Sequence, residues 1–386
     1  MAAWYDERRE AQVRAYDRSQ ALLFLLRFAL LFVLAAAFWM SGGSRALAAG
    51  LKGWLSFPFA WPLVCASFTA LAVFGYEAIL FPLSVLADYS LERAHGRLDA
   101  EFGAWLRGFV ATLLLEIGLM TAAFTGLYVL MRLFPAFWWL AATGAYALLV
   151  VGLGEWGASW LLPRVRPPAD DAALEEDLRR VGRAAGLEIS GAAWWDFEHQ
   201  DKLEAVRLTG TGRRRRAVFS AQAWRGLGRR EQVFLAARQM AWLQNGMAAT
   251  VQAWHVALAA GVFFGAARIS DWAARAHGLP GAVAPEAFPF WVVSLFALAA
   301  LAGVAAHAVV RRAELRADRF ALRQAGGSEV LLACLRHEFE RAPFAADAPW
   351  WQVALLRQMP TPARRVAQAQ ALEGTASAPA TAATSR

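Results

Sequence analysis

Cysteine is almost absent from this chain, which contains only two cysteines in 386 residues. Cys65 lies in a long apolar run and Cys334 lies in a predicted helix. Two thiols so placed provide neither a disulfide framework nor a cysteine-rich zinc site, because both need several suitably spaced cysteines. The sequence therefore argues against a small disulfide-stabilised fold and against a structural zinc site built from thiolates.

Charged residues are also scarce. They make up 18% of the chain, whereas hydrophobic residues make up 58%, and the mean hydropathy is +0.34. This is too apolar for a soluble domain, and apolar runs of about eighteen or more residues indicate membrane spans. We predict six spans, at 21–40, 60–84, 109–131, 136–161, 252–269 and 288–310.

Two charged residues lie inside these predicted spans. Arg27 is tolerable because the surrounding Leu and Phe residues favour insertion and because its long side chain can reach the membrane surface. Glu116 has two interpretations, since an intramembrane carboxyl group is either functional or simply protonated or paired inside the bundle. The sequence leaves both roles of Glu116 open.

The distribution of arginine and lysine predicts the orientation of the chain in the membrane. These residues are concentrated before residue 21, within 163–250 and after residue 311. The positive-inside rule then places both termini and the large polar segment in the cytoplasm. A charged start followed by a full-length span argues against a cleavable signal peptide. Richness in Ala, Arg and Gly favours a bacterial source, so the predicted location is a bacterial cytoplasmic membrane.

The net charge of +8 has a simple explanation in the membrane. Arginines on the cytoplasmic side are attracted to anionic lipid headgroups. The four arginines at 213–216 lack the surrounding aromatic residues that would stack on bases. We therefore expect the lipid bilayer as a partner and no nucleic acid, and the sequence indicates no oligomeric state.

The polar segments divide the chain. We predict an amphipathic segment at 1–20, four spans within 21–162, a polar segment at 163–250, two spans within 251–311, further helices within 312–372, and a disordered tail at 373–386. Within the polar parts, the patterns predict helices at 169–190, 229–245, 328–345 and 350–372, and a β-hairpin with strands LEAVRLT and RAVFS.

Two helical stretches carry a recognisable pattern. Residues 229–246 read RREQVFLAARQMAWLQNG, and residues 311–327 read RRAELRADRFALRQAGG. Together with the hairpin and the order of spans, they resemble the gluzincin metallopeptidases of the CAAX prenyl protease and HtpX type. The resemblance implies a mainly α fold: a polytopic membrane bundle of about six spans with a cytoplasmic zincin-like α+β domain containing a small β-hairpin. Its HExxH positions correspond to Ala237, Arg238, Gln239, Met240 and Ala241.

The catalytic residues of that family are mostly missing. Two histidines on one helix face bind zinc in a gluzincin, and a glutamate deprotonates the bound water. Here Ala237 and Ala241 offer no lone pair, and Arg238 puts a cation at the place of the base. Glu314 matches the third ligand and Asp318 matches the aspartate that orients a ligand. We expect no zinc or other cofactor to be bound.

Two further elements of the family pattern are altered. Met359 stands where the resembled enzymes carry an oxyanion-binding histidine, and either Arg364 or Arg365 takes the place of a following arginine. The family's substrate-pairing strand corresponds to Glu204 and Ala205, where backbone pairing with a peptide could survive.

The remaining histidines do not restore a metal site. His307 is seven residues before Glu314 on the same helix face, but the position of His307 at a span end, where it meets the membrane interface, explains its presence better than a metal site does. His337 is followed by a glutamate, yet Arg341 stands where a second histidine would be needed.

Three functional classes follow. The first is an inactive membrane pseudopeptidase that binds a polypeptide or a hydrophobic ligand and regulates or scaffolds a partner. The alternative is an active membrane metalloendopeptidase with non-standard ligands. A small-solute transporter is the third, although the sequence has no inverted repeat. For the first class, we expect Arg238 to pair with Glu314 or Asp318 and to replace the metal by an ion pair.

Overall fold

The structure is a computed structural model that describes residues 7–152, 165–166, 171–195, 205–210, 212–341 and 344–376. The chain forms two compact units, each assembled from separate stretches of sequence. The first unit comprises Met1–Ala15, Leu148–His255 and Val304–Arg386. The second comprises Tyr16–Ala147 and Val256–Gly303.

The elements up to the sheet are mostly long helices. They are α1 (Glu7–Met40), α2 (Gly43–Trp54), α3 (Trp61–Ser84), α4 (Leu91–Ala94), α5 (Phe102–Leu133) and α6 (Trp138–Gly152), with a π-helical turn at Val85–Ser90 between α3 and α4. The chain then forms β1 (Val165–Arg166), α7 (Ala172–Ala184), β2 (Gly191–Trp195), β3 (Val206–Thr209) and β4 (Arg216–Ser220).

The elements after the sheet are all helical. They are α8 (Ala221–Gly226), α9 (Arg229–Leu243), α10 (Met247–Ala276), α11 (Phe288–Ala325), α12 (Gly327–Arg341), α13 (Trp350–Leu356) and α14 (Pro362–Ala376). Short 3-10 turns at Gln244–Gly246 and Pro285–Ala287 precede α10 and α11.

Five stretches of the described helices are long and apolar enough to cross a membrane. They are Glu7–Met40, Trp61–Ala94, Phe102–Leu133, Arg229–Ala276 and Pro285–Ala325. The mainly α, multi-pass architecture is thereby confirmed, and these helices contain five of the six predicted spans. The remaining span, predicted at 136–161, begins as α6, and its last residues lie outside the described part of the chain.

The second unit is a bundle in which α3 and α5 pack side by side. Its core includes Phe68, Tyr128 and Trp291, each 1% exposed. Arg27, expected to reach for the membrane surface, instead pairs within this unit: its Nη2 lies 2.8 Å from Asp88 Oδ2. An ion pair of this kind lowers the cost of a charge within an apolar helix.

The first unit contains a four-stranded sheet in the order β1-β2-β4-β3. β3 and β4 form the expected antiparallel hairpin, with Val206 opposite Phe219 and Thr209 opposite Arg216. β2 pairs with β4 in parallel, and β1 pairs with β2 antiparallel. β3 is therefore the last strand in the sheet order, next to α9.

Two helices cover this sheet because each presents an apolar face. On α7, Leu174, Leu178 and Val181 recur at helical spacing and are fully buried. The Asp171 carboxylate caps α7 by accepting a hydrogen bond of 2.9 Å from the Leu174 amide. On α9, Phe234 and other buried residues join the same core.

The C-terminal part departs from the sequence expectation in two places. The helix predicted over 350–372 is wrong, because α13 ends at Leu356 and α14 begins at Pro362. Pro360 and Pro362 explain the break, since proline disfavours helix in the residue before it and is itself well suited to a first helical turn. The tail predicted from residue 373 is partly wrong too, as α14 continues to Ala376.

Candidate functional site

Three helices of the first unit bring together four charged side chains. Arg238 lies in the middle of α9, Glu314 and Asp318 lie on α11, and Arg365 lies in the first turn of α14. The spacing of four residues puts Glu314 and Asp318 on the same face of α11. Both carboxylates are therefore positioned by a single helix.

Arg238 contacts both carboxylates. Its Nη2 donates a hydrogen bond of 2.5 Å to Glu314 Oε2. Its Nε lies 2.6 Å from Asp318 Oδ1, a distance typical of an ion pair. This second contact is an ion pair that does not count as a regular hydrogen bond.

Arg365 holds Asp318 from the other side. Its Nε donates to Asp318 Oδ2 at 2.8 Å, and its Nη2 donates to Oδ1 at 3.1 Å. This two-pronged contact uses the planar guanidinium in the geometry that best matches a carboxylate. The cluster therefore consists of two guanidinium cations and two carboxylate anions in direct contact, and its net charge is zero.

The cluster is enclosed by protein. The Asp318 side chain is 0% exposed, and those of Arg365, Glu314 and Arg238 are 7%, 11% and 13% exposed. Burial alone would raise the pKa of Asp318, but the guanidinium groups of Arg238 and Arg365 hold that pKa below its usual range. Burial alone would lower the pKa of Arg238. The carboxylates of Asp318 and Glu314 more than offset that effect, so the pKa of Arg238 is raised above its usual value.

A catalytic zinc ion does not fit the residues at this place. Ala237 and Ala241 are buried on α9 beside Arg238 and provide no donor atom. Glu314 already accepts a hydrogen bond from a guanidinium, which a bound divalent cation would have to displace. Across the described ranges, no group of three His, Cys, Asp or Glu side chains is arranged to hold a metal ion.

Among the described residues, the others singled out from the sequence form no hydrogen bond or ion pair with this cluster. Met359 is exposed between α13 and α14. Ala205 precedes β3 and its carbonyl accepts a 2.9 Å hydrogen bond from the Ser220 amide, whereas Glu204 lies outside the described residues. His307 and His337 are half-buried on α11 and α12.

The second unit contains an apolar cavity of about 620 Å³. Leu, Ala and Phe side chains from α1, α3, α5 and α11 form most of its wall. Glu77 and Glu116 also line it, so the intramembrane carboxyl group noted in the sequence faces a cavity together with a second one.

Arg365 is the member of the cluster whose contact the sequence did not reveal. Either Arg364 or Arg365 could occupy the family's arginine position, and the structure distinguishes them. Arg365 is buried against Asp318, whereas Arg364 is exposed. The sequence does contain a signal that could have indicated Arg365: Pro362 begins the helix, and Arg365 follows about one turn later.

These features define a multi-pass membrane protein of mainly helical fold with a small sheet and a buried charge cluster. The chain has the fold of Ste24p from S. mikatae, whose crystal structure superimposes with a TM-score of 0.71 at 14% sequence identity. The match covers 95% of this chain and 90% of the Ste24p chain. Neither a family model nor a curated protein sequence matches this chain.

Proposed function

We propose that this protein is a catalytically inactive membrane relative of the CAAX protease and HtpX-type metallopeptidases, with a binding, regulatory or scaffolding role. Two observations support the relationship. The fold is that of Ste24p, an integral-membrane zinc metallopeptidase of the CAAX protease type. The sequence order of hairpin, α9, two spans and the Glu314 helix resembles the same enzymes.

The observation that carries the proposal is the position of Arg238. In the resembled enzymes, the residue at this place is the glutamate that removes a proton from zinc-bound water. A guanidinium has no acceptor and stays protonated at any physiological pH, so it cannot act as that base. The Arg238 guanidinium is also hydrogen-bonded to the carboxylate of Glu314, the one motif position that would still supply a metal ligand.

The proposal retains a role for binding. β3 ends the sheet beside α9, and an extended peptide could add to such an edge through main-chain hydrogen bonds, which do not depend on the side chain at Glu204. The apolar cavity of about 620 Å³ in the second unit could take a hydrophobic ligand. The proposed ligand is therefore a polypeptide or an apolar molecule that is held and released unchanged.

The proposed location follows from the arginine distribution. We place both termini and the first unit in the cytoplasm of a bacterium, with the bilayer around the apolar helices. Cysteine labelling of inverted and right-side-out vesicles at exposed positions 188 and 347 would test this orientation. Labelling of both positions from the outside of intact cells would contradict it.

A cleavage assay tests the proposed inactivity. Detergent-purified protein is incubated with casein and with a prenylated peptide, with and without a zinc chelator. We expect no product above the rate without protein, and no effect of the chelator or of the Glu314→Gln change. Cleavage that is abolished both by the chelator and by Glu314→Gln would show that the protein is an active metallopeptidase.

A further inference from the structure

A second cavity, in the first unit, lies beside the charge cluster. It has a volume of about 380 Å³, within the range of roughly 300–1,000 Å³ found for small-molecule sites. Its wall comes from the end of α9, the turn before α10, the start of α10 and one face of α11. The lining residues that matter here are Gln244, Asn245, Trp254, Val309, Arg312 and Arg316.

The charge of this cavity is uncompensated. Arg312 and Arg316 are four residues apart on α11, so both guanidinium groups lie on one face. No acidic residue is among those lining the cavity. Within the described ranges, neither arginine forms an ion pair, and the carboxylates of Glu314 and Asp318 are paired with Arg238 and Arg365. Two adjacent cations without anions destabilise each other and attract an anionic ligand.

The rest of the wall is suited to an amphiphile. Val251, Trp254 and Val309 provide an apolar surface, while the side-chain amides of Gln244 and Asn245 can donate hydrogen bonds. Trp254 and Val309 also stand at the ends of the apolar runs 252–269 and 288–310. Tryptophan is enriched where a span meets the membrane–water interface, which is the depth of lipid headgroups.

We propose that this cavity binds the headgroup of an anionic phospholipid, with the lipid phosphate held by Arg312 and Arg316. Arginine forks match phosphate oxygens well, and two of them on one helix face can share a single phosphate group. An acyl chain would then run along the apolar wall that includes Trp254. Ala241 of α9 is part of the cavity wall, but none of the four charged residues of the cluster lines the cavity. The proposed site therefore stands whether or not the protein cleaves peptides.

Lipid titration by native mass spectrometry tests the site. The full chain, purified in detergent, is titrated with dioleoylphosphatidylglycerol and with the zwitterionic dioleoylphosphatidylcholine. We expect one phosphatidylglycerol to be retained in preference to phosphatidylcholine. The double change Arg312→Gln and Arg316→Gln should weaken that binding by about thirtyfold, from the usual contribution of an arginine near an anionic lipid surface.

The matched control removes the same charge elsewhere on α11. Arg319 and Arg323 are exposed on that helix but do not line the cavity. Changing both to glutamine should leave phosphatidylglycerol binding unchanged. An equal loss in the control would mean that binding depends on overall charge, which would overturn the proposal. Competition by inorganic phosphate alone, at the concentrations at which lipid binds, would identify a free anion as the ligand and would also overturn it.

Discussion

Arg238 and Glu314 are separated by 76 residues in sequence, yet Arg238 Nη2 and Glu314 Oε2 lie 2.5 Å apart. Both side chains are almost fully enclosed. A buried carboxylate without a partner would be strongly destabilised, and a guanidinium is an effective replacement for a cationic metal. The pair gives a physical reason why the acidic face of α11 can persist beside a helix that carries no histidine.

Removing the Arg238 charge should destabilise the protein. Arg238→Met keeps much of the side-chain volume but leaves Glu314 buried without its partner, which costs about 3–5 kcal/mol of unfolding free energy. Thermal unfolding in detergent measures the effect. The exposed pair of Arg213 and Glu188 provides the control, and Arg213→Ala should leave the unfolding midpoint unchanged. Equal shifts in the two variants would contradict a structural role for Arg238.

Introducing the zinc ligands of the resembled enzymes should create zinc binding. Ala237→His, Arg238→Glu and Ala241→His together place two imidazoles and a carboxylate on α9 opposite Glu314, as a gluzincin site requires. We expect the triple variant to retain about one zinc ion per chain, measured by elemental analysis. The double variant, with both histidines but with Arg238 kept, should bind far less zinc, because the Arg238 guanidinium still forms an ion pair with the Glu314 carboxylate.

Stability should depend on pH through Asp318. Its pKa in the folded protein is depressed, after burial is offset by Arg238 and Arg365. The stabilisation is therefore complete above the ordinary aspartate pKa of about 3.9 and is lost as the pH falls through the lower folded value. We expect the thermal unfolding midpoint of the wild type to decrease once the pH is below about 4. Asp318→Asn should lack this component, whereas the exposed control Asp347→Asn should keep it.

The hairpin turn offers a backbone prediction. Gly210 has a φ of +81°, and an added Cβ would lie 2.5 Å from the Arg214 carbonyl oxygen. Gly212 also has a positive φ, +54°, but open space surrounds its Cβ position. Gly212→Ala should therefore cost only about 1 kcal/mol of unfolding free energy, from backbone strain. Gly210→Ala should cost clearly more, and limited proteolysis should cleave the β3–β4 hairpin faster. Similar behaviour of the two variants would contradict the geometry.

The long apolar helices and the hairpin could be predicted from the sequence because their signals are local. The last predicted span, 288–310, continues directly into the helix that carries Glu314, and no Gly or Pro interrupts the junction near residue 311. The π-helical turn at Val85–Ser90 was not predicted. It follows Pro82, which lacks the amide needed for a regular helix, but proline does not specify which irregularity will form.

The site was only partly accessible from the sequence. The motif positions placed Arg238, Glu314 and Asp318 in one neighbourhood, because a family pattern carries long-range information that local periodicity lacks. The second cation, Arg365, needed the structure: two adjacent arginines differ by about 100° around a helix, and only packing of α14 decides which one faces Asp318. β2 was missed for a related reason, as its parallel pairing with β4 is non-local.

The zinc content of the purified wild-type protein tests the central claim most directly. The protein is expressed with zinc in the medium, purified without chelator and analysed for metal alongside Glu314→Gln. With Arg238 holding both carboxylates, we expect essentially no zinc in either preparation. About one zinc ion per wild-type chain, lost on changing Glu314, would contradict the claim that an ion pair has replaced the metal.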